Sequence, residues 1–329
     1  MPTTTVSTAP ASRSPSRNSA LGASALPVLG AAALWGTTGT AQALGQAGDP
    51  VVVGAARLTV GAAVLVVVAL AVGGPGPLVR CLRRSLLAWT LLAVAATAVY
   101  QAAFFSAVAS TGVATGTVVA LGTAPIATGL CGAVLFGERL TRRWAVATGL
   151  AVSGCGVLVT AGSSGTAMVR PAGVALAVLA GACYALYTSG AKALLDRSVP
   201  VVPAMAVTLG LGAVLLTPVL LTRSEALADG RSLLMVAWLG LITTAAAYLL
   251  FARGLRRLPT GTVGTLSLAE PLTAAALGLL ALGERPAPQA AAGAACLLAG
   301  LLLAALRPDP ASGSALPGTP TALHEETAA

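Results

Sequence analysis

Apolar residues occupy this chain in long unbroken blocks, and its charged residues fall almost entirely between them. Charge-free runs cover 18–48, 58–79, 85–137, 144–169, 171–191, 198–222, 232–252 and 286–306. A helix needs about 20 residues to cross the hydrocarbon of a bilayer, and every run reaches that length. The run 85–137 is too long for one crossing and splits at Ala109-Ser110-Thr111-Gly112. A further block, 258–283, is interrupted only by Glu270. The pattern predicts ten helices, at 26–45, 51–72, 86–107, 113–136, 144–162, 171–191, 202–222, 232–252, 261–282 and 286–306. Barrel strands would alternate in roughly ten-residue segments, whereas these blocks are continuous. The expected fold class is therefore an all-α integral membrane protein. Its abundant Ala and Gly suit the close packing of membrane helices.

Composition sharpens this picture. Of 329 residues, 56% are hydrophobic and 9% charged, with a mean hydropathy of +0.88. Soluble domains carry about 25% charged residues, so too little polar surface is present for a water-soluble enzyme. The net charge of +9 would suit a nucleic-acid binder if the cations were clustered on a soluble face, but they are not. With the N-terminus placed inside, fourteen of the nineteen cations fall on cytoplasmic segments, among them Arg80, Arg83, Arg84, Arg139, Arg142, Arg143, Arg253, Arg256 and Arg257. Four (Arg170, Arg223, Arg231 and Arg285) fall outside, and Arg57 lies within a span. That asymmetry is the positive-inside signal; nucleic acid is not an expected partner, and the lipid bilayer is. Residues 1–20 and 307–329, rich in Pro, Ser, Thr and Ala, are expected to be disordered tails. Arg13 and Arg17 before an apolar stretch imitate a signal peptide, but an uncleaved first helix is the simpler reading.

The chain also repeats itself. Thr115-Gly116-Thr117-Val118 recurs as Thr260-Gly261-Thr262-Val263. Pro125, Gly132, Gly137-Glu138-Arg139 and Gly154 recur, 146 residues later, as Pro271, Gly278, Gly283-Glu284-Arg285 and Gly300. This predicts two five-helix repeats, 21–162 and 171–306. Five is odd, so the second repeat enters the membrane inverted, an arrangement used by secondary transporters around a central site.

The block from Pro125 to Glu138 and its counterpart from Glu270-Pro271 to Glu284 resemble the duplicated EamA domain of the drug/metabolite transporter superfamily. So do Leu34-Trp35-Gly36 and the arginine of Ala56-Arg57-Leu58. The resemblance covers about 26–306. It implies ten helices, cytoplasmic termini, a central cavity between the halves, and transport, commonly export, of small metabolites such as amino acids. One departure stands out: the seventh predicted helix carries no arginine matching Arg57.

The scarcity of charge narrows the candidate chemistry. Glu270 is a carboxylate near mid-membrane, where a charge costs roughly 2.5–3.5 kcal/mol unless paired, hydrated or protonated. It either contacts a substrate amine or couples protons, or it is a structural carboxyl bonded near the break at Pro271. Arg57 sits about 9 Å into its helix. It either snorkels to the headgroups, pairs with Glu270 or holds a substrate carboxylate. Pro125 and Pro271 each free a carbonyl four residues earlier, at Leu121 and Ser267. These prolines are expected helix breaks, useful for packing or for substrate contact. Trp35, Tyr100, Phe104, Tyr184 and Tyr248, with Thr37, Thr38 and Gln101, are candidates for lining a cavity, against ordinary helix packing. Trp89 and Trp144 are expected in the interfacial belt. Glu138 and Glu284 are expected to serve the start of the following helix or to pair with Arg139 or Arg142.

Other chemistries find no residues. The five cysteines are scattered, His324 is in the tail, and no phosphate-binding loop occurs, so no cofactor, metal site or catalytic triad is expected. The expected function is a secondary transporter, most simply an exporter, working by alternating access. Its small-molecule substrate moves with protons as a candidate coupling ion. The high ratio of Arg to Lys favours a bacterial source and hence the inner membrane. The chain would act as a monomer or homodimer. Competing readings are a nucleotide-sugar-type carrier, which should carry more cavity cations, a membrane-embedded enzyme, and a non-transporting scaffold.

Overall fold

In hydrocarbon, every backbone amide must find its partner within the protein, and the regular structure among the described residues meets that demand with helices alone. The computed structural model describes residues 17–45, 49–161, 170–223, 230–283 and 287–306. The tails expected at 1–20 and 307–329 fall almost wholly outside these residues, as do Glu284 and Arg285. The helices are α1 (Arg17–Gly45), α2 (Pro50–Gly73), α3 (Gly76–Cys81), α4 (Arg84–Thr111), α5 (Val113–Phe136), α6 (Arg142–Ala161), α7 (Pro171–Asp196) and α8 (Val201–Arg223). Then follow α9 (Gly230–Trp238), a π-helical turn (Leu239–Ala246) running into α10 (Ala247–Leu255), α11 (Thr260–Ser267), α12 (Ala269–Ala281) and α13 (Pro288–Leu306).

Among the described residues, nine helices are long and apolar enough to cross a membrane, counting Gly230–Leu255 and Thr260–Ala281 as one each. The tenth predicted span, 26–45, falls within the 29-residue helix α1, which is not counted among the nine. Many large apolar side chains point outward, with Val134 and Leu280 each 81% exposed. A surface of that kind belongs against lipid, and the chain is a multi-pass membrane protein.

Local chemistry sets the helix ends. Asp49 caps α2 by accepting from the Val51 N–H at 2.9 Å. The long run 85–137 divides as expected at Gly112, whose φ of +82° ends α4 and starts α5. Gly137 and Gly283, repeat mates, both take φ +66° just past a helix, the left-handed position that glycine adopts without a Cβ penalty.

Other details depart from expectation. The ninth predicted helix, 261–282, is not one kinked rod. It breaks at Leu268, whose N–H turns back to Thr265 O at 3.1 Å, and resumes as α12. Pro125, its mate, lies inside an unbroken α5. Thr141 caps α6 through the Trp144 N–H at 3.1 Å, which leaves Glu138 free to reach across the molecule. Its carboxylate accepts from the Thr260 N–H (2.8 and 3.0 Å) and the Thr260 hydroxyl (2.7 Å) at the start of α11. Trp89 and Trp144, both part-exposed, also pack within the protein. Trp89 stacks on Phe136 and lies under Arg197 at 5.3 Å, and Trp144 wedges between Gly129 and Gly261.

The seam between α6 and α13 shows the repeat in three dimensions. A Cβ on Gly154 would meet Gly293 O at 2.7 Å and Leu297 Cα at 2.8 Å. A Cβ on Gly300 would meet Ala147 O at 2.7 Å and Ala151 N at 2.6 Å. Exchanging each residue for its mate at the repeat offset (Gly154 for Gly300, Gly293 for Ala147, Leu297 for Ala151) turns one contact into the other. Absent side chains let the backbones touch, as membrane helices require where no hydrophobic drive brings them together.

Candidate functional site

The helix break at Leu268 determines where Glu270 stands. Glu270 falls in the first turn of α12, where the unpaired N–H groups and the helix dipole favour an anion. Pro271 beside it lacks an N–H, but a helix start leaves that donor free in any case. The break is tied to α7 by a 2.7 Å contact between the Tyr184 and Ser267 hydroxyls. Gly36 on α1 presses on the same turn, since a Cβ there would lie 2.6 Å from Glu270 O.

Arg57, two turns into α2, faces the same region. Glu270 and Arg57 feel each other's charge but form no ion pair, and neither makes a hydrogen bond to the described residues; Lys192–Asp196, at 3.0 Å, is the ion pair found there. Both side chains are part-exposed. Tyr100 on α4 and Tyr248 on α10 lie near both charges. Tyr184 lies near Glu270, Tyr100 and Tyr248. Five groups on α2, α4, α7, α10 and α12 thus share one neighbourhood.

An aromatic layer adjoins them. The Trp35 ring meets Tyr248 edge-on at 5.4 Å and Phe251 at 5.5 Å. Tyr187 meets Tyr248 edge-on at 5.7 Å, and Tyr184 meets Phe251 at 6.3 Å. Phe251 is fully buried and touches every other ring of the layer. Sequence reasoning passed over Tyr187 and Phe251. Each lies three residues beyond a chosen tyrosine, on the same helix face, and that spacing was the available signal.

The family model for EamA-like transporters matches this chain twice, over residues 23–160 and 171–306. The chain belongs to the EamA-like transporter family. The family is part of the drug/metabolite transporter superfamily, and its members' role indicates a transporter of small molecules in a lipid bilayer, not an enzyme. Among curated relatives, the Bacillus subtilis (strain 168) protein named Uncharacterized transporter YwfM is 40% identical over 285 residues, 85% of this chain and 93% of its own. The Threonine/homoserine exporter RhtA of Escherichia coli (strain K12) is 36% identical over 141 residues, 42% of this chain. That match spans 46% of RhtA itself. A solved crystal structure, 24% identical, superposes with a TM-score of 0.74 over 86% of this chain and 98% of that one, a likeness of fold.

The two EamA matches divide the charged pair between them, Arg57 in the first and Glu270 in the second. The remaining sequence candidates scatter. Phe104 stacks on Tyr100 at 5.7 Å, on the cluster's edge. Gln101, 4% exposed, lies against Gly54, one turn before Arg57. Thr38 is part-exposed and unbonded. Thr37 is committed elsewhere, donating to Leu34 O and accepting from the Trp238 indole at 3.0 Å. Pro125 packs at the crossing of α5 and α11, against Gly264. A surface cleft of about 480 Å³ between α1, α9 and α12, lined by Thr37, Trp238 and Arg231, includes neither Arg57 nor Glu270.

Proposed function

We propose that this EamA-like transporter exports a small zwitterionic metabolite, an amino acid or close relative, by alternating access between two inverted five-helix halves. The observation that carries the reading is the Arg57–Glu270 pair. Two opposite charges share a neighbourhood inside a membrane protein, part-exposed and without a partner among the described residues, near tyrosines from both halves. Unpaired charges there are costly, and a bound carboxylate and ammonium would satisfy both at once. Arg57 offers a planar fork matched to a carboxylate, and Glu270 accepts from an amine or exchanges a coupling proton. The partial likeness to RhtA, an exporter by name of threonine and homoserine, points to the same substrate class. A nucleotide sugar would bring a diphosphate, which one arginine serves poorly.

The chain would sit in a bacterial inner membrane with both termini cytoplasmic, as the arginine distribution favours. All five groups come from one chain, so a monomer is the proposed transporting unit. The test is flux into proteoliposomes of a labelled amino-acid panel, with and without a pH gradient. Uptake that saturates and is competed by unlabelled zwitterions is the expected result. If no amino acid or related solute moves, the reading fails.

A further inference from the structure

The contacts of the two repeats do not match, although their sequences do. At one end, α5 and α11 cross through glycine notches. A Cβ on Gly261 would meet Trp144 Nε1 at 2.9 Å and Gly129 Cα at 3.0 Å, and one on Gly264 would meet Pro125 Cα at 3.0 Å. Glu138 ties the crossing together. Pro259 gives the start of α11 no side-chain cap, and Glu138 supplies one from the other repeat through the Thr260 N–H and hydroxyl. The Thr260 hydroxyl also approaches Thr128 O at 3.2 Å. The helix α7 also packs against both α10 and α11.

Among the described residues, which do not include Glu284, the opposite end shows no such contacts. The start of α5, which repeats as the start of α11, has no side-chain cap. The repeat mate of α7 is α1, and it makes no comparable contact with α4 or α5; nor does α12 with α5. Equivalent helices are therefore shut at the Glu138 end and parted at the Gly112 end.

Resting on the transport reading above, we propose that this is the state sealed at the Glu138 end, and that the Glu138 cap on α11 is the latch of that gate. By the arginine count this end faces the cytoplasm. Opening requires α11 to leave α5, which breaks the charge-assisted bonds to Thr260 and withdraws Trp144 from its notch. The Trp144 Nε1–H is buried without a partner in the sealed state. Exposure would let it bond water, which partly offsets the loss and keeps the latch releasable. Glu138 is thus a positioning residue, acting on the site through α11.

The test uses two spin-label pairs in liposomes, in full-length protein with its five cysteines replaced. One pair, at Arg139 and Arg257, spans the latched end. The other, at Val113 and Leu280, spans the opposite end. All four positions are exposed. In Glu138→Ala the Arg139–Arg257 distance is expected to lengthen while Val113–Leu280 shortens, with the ratio of states changing roughly tenfold or more, the equivalent of a lost hydrogen bond to a charged group. Thr260→Ala, which keeps the backbone donor, should shift both pairs in the same directions by less, and it serves if Glu138→Ala does not fold. Unchanged distances overturn the latch. Lengthening of the first pair without shortening of the second also overturns it, because Glu138 would then merely hold α11 locally. Coupled distance changes in protein that moves no solute would instead sink the transport reading and leave the latch standing.

Discussion

At the scale of single residues, the candidate site depends on Arg57 and Glu270 having no ion-pair or hydrogen-bond partner among the described residues. If Arg57 holds a carboxylate, Arg57→Ala should weaken binding of a zwitterionic substrate about 10- to 100-fold, the worth of a hydrogen bond to a charged group. Arg57→Lys should recover part of it, keeping the charge but not the fork. Equilibrium binding by scintillation proximity reads this directly, and equal affinity in Arg57→Ala would remove the arginine from the site. Glu270→Gln keeps the size and an acceptor but cannot lose a proton. It should abolish the response of flux to an imposed pH gradient while leaving counterflow exchange measurable; a retained response would exclude Glu270 as the coupling group. These two charges were legible in the sequence because charges within spans are so scarce here. Tyr187 and Phe251 were not, since aromatic residues in an apolar helix look alike until the neighbouring helices show which face they share. Glu138 was misread for a related reason: its partner, Thr260, lies in the other repeat, and local capping rules search only the next helix.

At the scale of elements, glycine position decides how closely helices approach. On α6, Gly154→Ala would push a methyl into the backbone of α13, whereas Gly149→Ala would meet nothing within 4 Å. The first should destabilise by about 1–3 kcal/mol through overpacking. The second should be neutral or stabilise by up to about 1 kcal/mol through helix propensity. Thermal unfolding in detergent separates them, and equal melting temperatures would show that the seam yields. Most element boundaries followed from charge-free runs and glycines, as the division at Gly112 illustrates. Pro271 marks a break in the sequence by freeing the Ser267 carbonyl, but not its place at Leu268, where Ser267 and Gly36 pack around the turn. The π turn at Leu239–Ala246 was equally hidden. There Thr243 and Thr244 both donate to Leu239 O, and a Cβ on Gly61 of α2 would lie 2.7 Å from Gly240 O, so close approach of α2 accompanies the widened turn.

At the scale of the whole molecule, orientation rests on arginines outside the spans. Reporter fusions after Arg307 should show green fluorescence without alkaline phosphatase activity if the C-terminus is cytoplasmic, and an active phosphatase would invert the topology. The seam of α6 and α13 has a different consequence. Gly154 and Gly300 lie across a local two-fold relation, so exchanging the roles of the halves maps this contact onto itself. A rearrangement that swaps the open and sealed ends leaves it stationary. The seam then serves as a fulcrum, and a label pair across it offers an internal ruler whose length stays fixed while both ends of the molecule move.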